Sequence, residues 1–242
     1  MDSKPSVSCI LPVGYGDRFF RLALSCALNQ TYDGSLEVIV LDNSDEPIES
    51  LLPVDDRIKY FRCERMPVGS LRNLGTSYAN GEVCVTWDED DWSSKDRVAV
   101  QVARLVESGK AVTGWHNINY YNTTNGDCFK YYFSPGERHH PYACGTSHMY
   151  VKSYWESHKY NNYGIEDYYF QLEAMQNNQL DSCDADQLCV ARAHGDSVCP
   201  ISQYIGHPQF PMVGNSTLPE DFFADMARMS NNEVPAKPEE EQ

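Results

Sequence analysis

The chain has 242 residues, 41% of them hydrophobic and 12% aromatic, enough apolar surface for one large folded domain and too much for a disordered segment. Its formal net charge of −16 disfavours unassisted binding to a phosphate backbone and speaks against nucleic acid as a partner. Residues 219–242 carry seven acids against Arg228 and Lys237, a net of −5, so the body is acidic as well as the tail.

Nine cysteines, an odd number without a C-x-x-C pair, read as reduced thiols in a cytoplasmic protein. Residues 1–6 hold no basic region followed by an apolar stretch. No run approaches the ~18 apolar residues of a membrane span.

Residues 7–11 form a short apolar run closed by Pro12-Val13-Gly14-Tyr15-Gly16, and Phe19, Leu22, Ala23 and Cys26 follow at helical spacing. Residues 36–41 (LEVIVL) form a second strand, apolar throughout as in a sheet covered on both faces, ending at Asp42-Asn43-Ser44. This strand, helix, strand order predicts a parallel sheet. Residues 57–62 read as a third strand, 69–79 as a helix, and 81–87 as a fourth strand that runs into Asp88-Glu89-Asp90-Asp91. In open α/β sheets ligands bind at the carboxyl ends of strands, which puts Asp42 and the acidic cluster at one crevice.

Ser93 and Asp96 suggest a capping box for a helix with Val98, Val102, Leu105 and Val106 on its apolar face, stopped by Gly109. Residues 111–121, 128–133 and 146–151 then read as strands of a partly antiparallel second half. Residues 166–177 read as a helix, 188–193 as an edge strand, and 219–229 as a last helix. The expected architecture is a single α/β domain over residues 1–230, with 6–110 binding a nucleotide and 111–230 an acceptor. Residues 231–242 are expected to be a disordered acidic tail.

Four adjacent acids at a strand end, with no basic neighbour in sequence, repel one another unless a cation joins them, and Mn²⁺ or Mg²⁺ suits carboxylate and diphosphate oxygens. An EF-hand is excluded by Trp92 and Ser93 at the fifth and sixth positions. The simpler alternative is a solvated turn that caps the next helix. His139, His140, Cys144 and His148 are capable zinc ligands, but their spacing follows no structural-zinc pattern. Their loop, with Tyr131, Tyr132, Phe133 and Tyr142, is read instead as facing an acceptor.

Residues 7–12 (VSCILP), 27–32 (ALNQTY), 37–44 (EVIVLDNS), Arg72-Asn73-Leu74-Gly75, 81–83 and the Asp88 cluster, in that order, resemble family 2 glycosyltransferases. The resemblance covers roughly residues 6–110. It implies a GT-A, Rossmann-like fold: a mainly parallel mixed sheet flanked by helices, binding a nucleotide-sugar donor, usually a UDP-sugar. Pro12, Tyr15 and Asp42 would hold the base, Arg72 the nucleotide, and Asp88 and Glu89 would lie near the ribose. Asp90 would be the metal ligand, with Asp91 as a second, and His194 would add a C-terminal ligand for which His207 competes. An Asp at the base position can accept the imide N–H of uracil. Residues 164–168 (GIEDY) resemble the family's acidic motif below the acceptor site. Asp167 is therefore the expected general base of an inverting transfer, although Glu166 and Asp167 would also complement a helix N-terminus.

The chain departs from the family at Gly14-Tyr15-Gly16-Asp17, and it has no Q-x-x-R-W element after Asp167, which speaks against a processive synthase. The expected activity is transfer of one sugar to a hydroxyl of a glycan or small molecule. The alternatives are a nucleotidyltransferase, a non-catalytic nucleotide-sugar-binding protein of the same fold, or a hydroxylated nucleobase in DNA as acceptor.

Overall fold

The computed structural model describes residues 4–132, 141–185, 187–195, 197 and 205–230. The first half alternates strand and helix: β1 (Val7–Val13), α1 (Asp17–Leu28), β2 (Leu36–Asp42), β3 (Ile58–Arg62), α2 (Val68–Tyr78), β4 (Val83–Thr86), the short β5 (Trp92–Ser93) and α3 (Arg97–Ser108). The second half contains β6 (Val112–Trp115), β7 (Asn117–Asn122), β8 (Cys128–Tyr132), β9 (Met149–Val151), α4 (Lys152–Ser157), α5 (Glu166–Gln176), β10 (Leu180–Cys183), β11 (Cys189–Ala193), β12 (Met212–Val213) and α6 (Glu220–Ser230).

Two sheets result. The larger runs β10-β6-β9-β4-β1-β2-β3, with β1, β2, β3 and β4 parallel and β9 antiparallel to both β4 and β6. The smaller runs β12-β8-β7-β11-β5 and is antiparallel except where β11 pairs with β7. The architecture is the anticipated mixed, mainly parallel α/β fold.

The apolar runs of β1 and β2 bury both faces of the large sheet. Cys9, Leu11, Val13, Val38 and Val40 pack beneath α1 and α3, while Ile10, Ile39 and Leu41 pack with Leu71 of α2 and Phe170 of α5. Helix α2 lies flush on the sheet because Gly75 has no side chain. A Cβ there would stand 2.6 Å from Ile10 and 2.8 Å from Leu41.

The residues 29–32 (NQTY) brace α3. Gln30 donates to the Ser94 carbonyl at 2.8 Å and accepts from the Val98 amide at 2.8 Å, and the Thr31 hydroxyl donates to Asp96 at 2.7 Å. Asp96 is thus engaged across the loop, and α3 starts with no side-chain cap, so the expected capping box does not form. Ser93 lies in β5, where its hydroxyl accepts from Arg97. Gly109 ends α3 in the left-handed region (φ 62°), as a C-terminal glycine does.

Three other sequence readings change. The single strand expected over 111–121 is two, because the chain crosses from the large sheet to the small one at His116. The expected edge strand 188–193 is internal, with β7 on one side and β5 on the other. Helix α4 and strands β10 and β12 were too short to leave a periodic signal. The tail from residue 231, and His139, His140 and Phe133, lie outside the described residues.

Candidate active site

Strands β1, β2 and β4 end side by side, and the loops that leave them form one edge of the crevice. Asp42, the last residue of β2, does not open onto it. The side chain is fully buried and accepts hydrogen bonds from the Ser44 amide (3.0 Å), the Ser44 hydroxyl (2.5 Å), the Ile48 amide (3.0 Å) and the Tyr60 hydroxyl (2.7 Å), with Arg62 at 2.9 Å. Burial pushes the carboxyl up, but the bonds from Ser44, Tyr60 and Ile48 outweigh it and hold the group below the ordinary range. Both oxygens are committed to the 43–48 turn, which leaves none for a uracil edge. Pro12 is likewise buried within β1, whereas Tyr15 stands 36% exposed on the loop beyond it.

Each of the four acids after β4 has a different environment. Asp88 is ion-paired with Arg72 at 2.9 Å, and Arg72 also reaches Glu166 at 2.5 Å. Glu89 turns inward. One oxygen accepts the amides of Gly14 (2.6 Å) and Tyr15 (3.0 Å), so it fixes the loop after β1. Burial pushes its carboxyl up to about 7 despite those two amides. Asp91 accepts from the Thr146 hydroxyl (2.7 Å) and the Arg192 amide (3.2 Å). Burial and the charges of Asp90 and Asp88 raise its pKa well above the usual carboxylate range.

Asp90 meets His194 at 3.0 Å, between Oδ2 and Nε2. The imidazole is buried, stacked on Phe19 with ring centroids 4.1 Å apart and edge-on to Tyr15 at 5.2 Å. The structure therefore joins Asp90 to the residue proposed from far along the sequence. His207 is in a turn and accepts there from the Gln209 amide at 3.2 Å. Among the described residues no group of three or more His, Cys, Asp and Glu side chains is arranged to hold a metal. One carboxylate and one imidazole nevertheless suit a Mn²⁺- or Mg²⁺-type ion that keeps positions for diphosphate oxygens and water, and the nitrogen favours manganese of the two.

Asp167 lies in the first turn of α5, half-buried, and makes no hydrogen bond or ion pair among the described residues. It rests on Gly145: a Cβ at that glycine would stand 2.6 Å from the Asp167 Cβ and 2.8 Å from its Oδ2. The next residue, Thr146, is the one that binds Asp91. One turn, residues 145–147, thereby touches both the acidic segment and the expected base.

Sequence reasoning missed the arginines that organise this region. Arg97, fully buried, donates to the carbonyls of Thr86 (2.8 Å) and Thr146 (2.7 Å) and lies over the Trp87 ring at 4.5 Å. Arg192 donates to the Asp90 carbonyl and to that of Phe19 (3.2 Å). Both left a signal in the sequence. Arg97 and Gln101 occupy the buried stripe of α3, and Arg192 interrupts an otherwise apolar strand. The premise that the acids lack basic partners holds only along the chain, since Arg72 and Arg192 reach them through space. His148 and Cys144 are buried and packed. His148 contacts the Ala143 carbonyl and the Tyr160 hydroxyl, each at 3.3 Å.

The sequence model of glycosyl transferase family 2 matches residues 16–161, more than half of the chain, and the protein belongs to that family. An uncharacterized glycosyltransferase of Rickettsia felis is 35% identical over 101 residues, 40% of this chain and 17% of that protein. Another from Haemophilus influenzae is 26% identical over 117 residues, 46% of each chain. The chain spans about a fifth of the length of the Rickettsia felis and Rickettsia conorii relatives. Among solved structures, S. aureus TarS 1-349 in complex with UDP-GlcNAc superposes with a TM-score of 0.61 at 16% identity, covering 97% of this chain and 68% of that one. The complex of the same protein with UDP gives 0.61 at 16% identity over 78% of this chain and 60% of that one. The shared fold is GT-A. The family match ends before Asp167 and His194.

Proposed function

We propose that the protein is an inverting, metal-dependent glycosyltransferase that moves one sugar from a UDP-sugar to a hydroxyl of a glycan or small molecule. The carrying observation is the 145–147 turn, which touches both Asp167, a carboxylate with no hydrogen bond among the described residues, through Gly145, and the acidic segment through Thr146. A carboxylate whose oxygens accept no hydrogen bond among the described residues is available to take the acceptor hydroxyl's proton as that oxygen attacks the anomeric carbon. Glu89 orients the loop bearing Tyr15 for the nucleotide, and Asp42 shapes the neighbouring turn. Asp90 and His194 would hold Mn²⁺ or Mg²⁺, which when bound supplies Lewis-acid neutralisation of the departing diphosphate. TarS binding UDP and UDP-GlcNAc supports the donor class.

No helix among the described residues is long and apolar enough to cross a membrane. Eight cysteines within them are free, which fits a reducing cytoplasm. The test is incubation with several UDP-sugars and a panel of sugar acceptors, with Mn²⁺, Mg²⁺ or EDTA. Release of UDP that requires the metal and a product of inverted anomeric configuration by NMR are expected. Pyrophosphate release would indicate a nucleotidyltransferase, and binding without turnover a non-catalytic protein.

A further inference from the structure

One face of helix α2 touches the chain that leads to Asp167 at Trp155, Tyr160, Asn161, Asn162 and Glu166. Asn73 donates to the Tyr160 carbonyl at 2.7 Å and accepts from the Tyr160 amide at 3.0 Å and the Trp155 indole at 2.9 Å. The Ser70 hydroxyl donates to Asn162 at 2.7 Å. A Cβ at Gly69 would stand 1.9 Å from the Asn161 carbonyl oxygen, so the 160–166 loop lies directly on the helix.

Arg72 completes the face. Its side chain is 5% exposed, and its two terminal nitrogens divide between Asp88, which follows β4, and Glu166, which opens α5. Among the described residues the buried Nε has no hydrogen-bond partner, and the guanidinium lies 5.6 Å from the centre of the Tyr160 ring. At 5% exposure the guanidinium is turned to these two carboxylates and not to solvent. A planar guanidinium can bridge two carboxylates at fixed angles, which the point charge of a lysine cannot.

We propose that Arg72 is a positioning residue that holds the Asp167 helix in register with the Asp88–Asp91 segment, so that base and donor stand in a fixed relation. The proposal rests on the glycosyltransferase reading for its kinetic consequence but not for its structural one. A misplacement of ~1 Å at a reacting group costs up to about 100-fold in rate, so the effect falls on turnover.

Two measurements on the full chain test it. In Arg72→Lys, hydrogen–deuterium exchange should accelerate at residues 158–169 and stay unchanged across β1 and β2. Turnover of UDP-sugar should fall ~10- to 100-fold with KM for the donor within about twofold, and the same substitution should add little in an Asp167→Asn background. Unchanged exchange at 158–169 overturns the proposal whatever the rates do. So does a donor KM that rises equally in both backgrounds, since Arg72 would then act on the nucleotide. If exchange rises while Asp167→Asn keeps full activity, the clamp stands and the assignment of the base fails. Should Arg72→Lys not fold, Glu166→Gln keeps the shape of the α5 partner, removes its charge, and carries the same readouts.

Discussion

At the carboxyl ends of β1, β2 and β4 the side chains of interest follow their strands by a few residues, whereas Asp167 depends on Gly145 and on Arg72, whose ion pair with Glu166 spans 94 positions. The first region is set by main-chain register. Parallel pairing of β1 with β2 and β4 brings the three loops together, and Glu89 then fixes one of them through its amides. The second region is set by side-chain clamps and one missing Cβ. Substitutions near the strand ends should therefore change donor binding and stability, and substitutions around α5 should change chemistry.

The separation is sharpest for Asp167→Asn, which keeps shape and removes the basic oxygen. Turnover should fall ~10²- to 10⁴-fold with UDP-sugar affinity by calorimetry unchanged. A parallel loss of donor affinity would merge the two regions into one. Asp90→Ala, or EDTA on the wild type, should lower UDP affinity by about 100-fold and leave the far-ultraviolet circular dichroism intact, because the diphosphate charge is left uncompensated. Undiminished affinity in EDTA would break the metal reading.

Asp42→Ala tests the first region from within. Removing a buried carboxylate that satisfies two hydroxyls, two amides and Arg62 should cost ~2–3 kcal/mol of stability by denaturant titration. Its effect on UDP, CDP and GDP affinity should be equal, since no oxygen faces the base. A loss confined to UDP would restore Asp42 as a base-reading residue. Gly145→Ala tests the second region. The new methyl would meet Asp167 at 2.6 Å, so turnover should drop ~10-fold while UDP binding holds.

The same contrast explains what the sequence disclosed. Apolar runs ending in Asp42 and in Asp88 to Asp91 mark β2 and β4 and the edge where they stop, because strand, loop and acid are contiguous. The Asp90–His194 contact joins residues 104 positions apart and was reachable only through family resemblance. The committed state of Asp42 was not legible at all: Tyr60 and Arg62 belong to β3, and nothing local says that their side chains turn toward β2. Arg97 and Arg192 were legible in principle, as charges at positions the periodicity assigns to the core.

His148 yields the smallest effect and a test of how dry the second region is. Burial lowers its pKa to about 4, against Asp167, which raises it, and with Arg72, which lowers it further; Asp88 also acts on it, and the Tyr160 hydroxyl faces its ring. A histidine kept neutral in the fold takes up its proton more readily in the unfolded chain. Its contribution to stability is therefore lost as pH falls from about 6.5 toward 4. Opposite contributions come from Glu89, Asp91 and Glu166, whose raised pKa values favour the fold as pH falls. The wild-type profile alone cannot separate these, so the comparison is with His148→Gln, whose amide retains a donor for the Ala143 carbonyl. Between pH 6.5 and 5 the wild type should lose on the order of 1 kcal/mol more than the variant in parallel denaturant titrations. Identical slopes would mean that His148 is already hydrated in the native state, and that the region around Asp167 is wetter than its packing indicates.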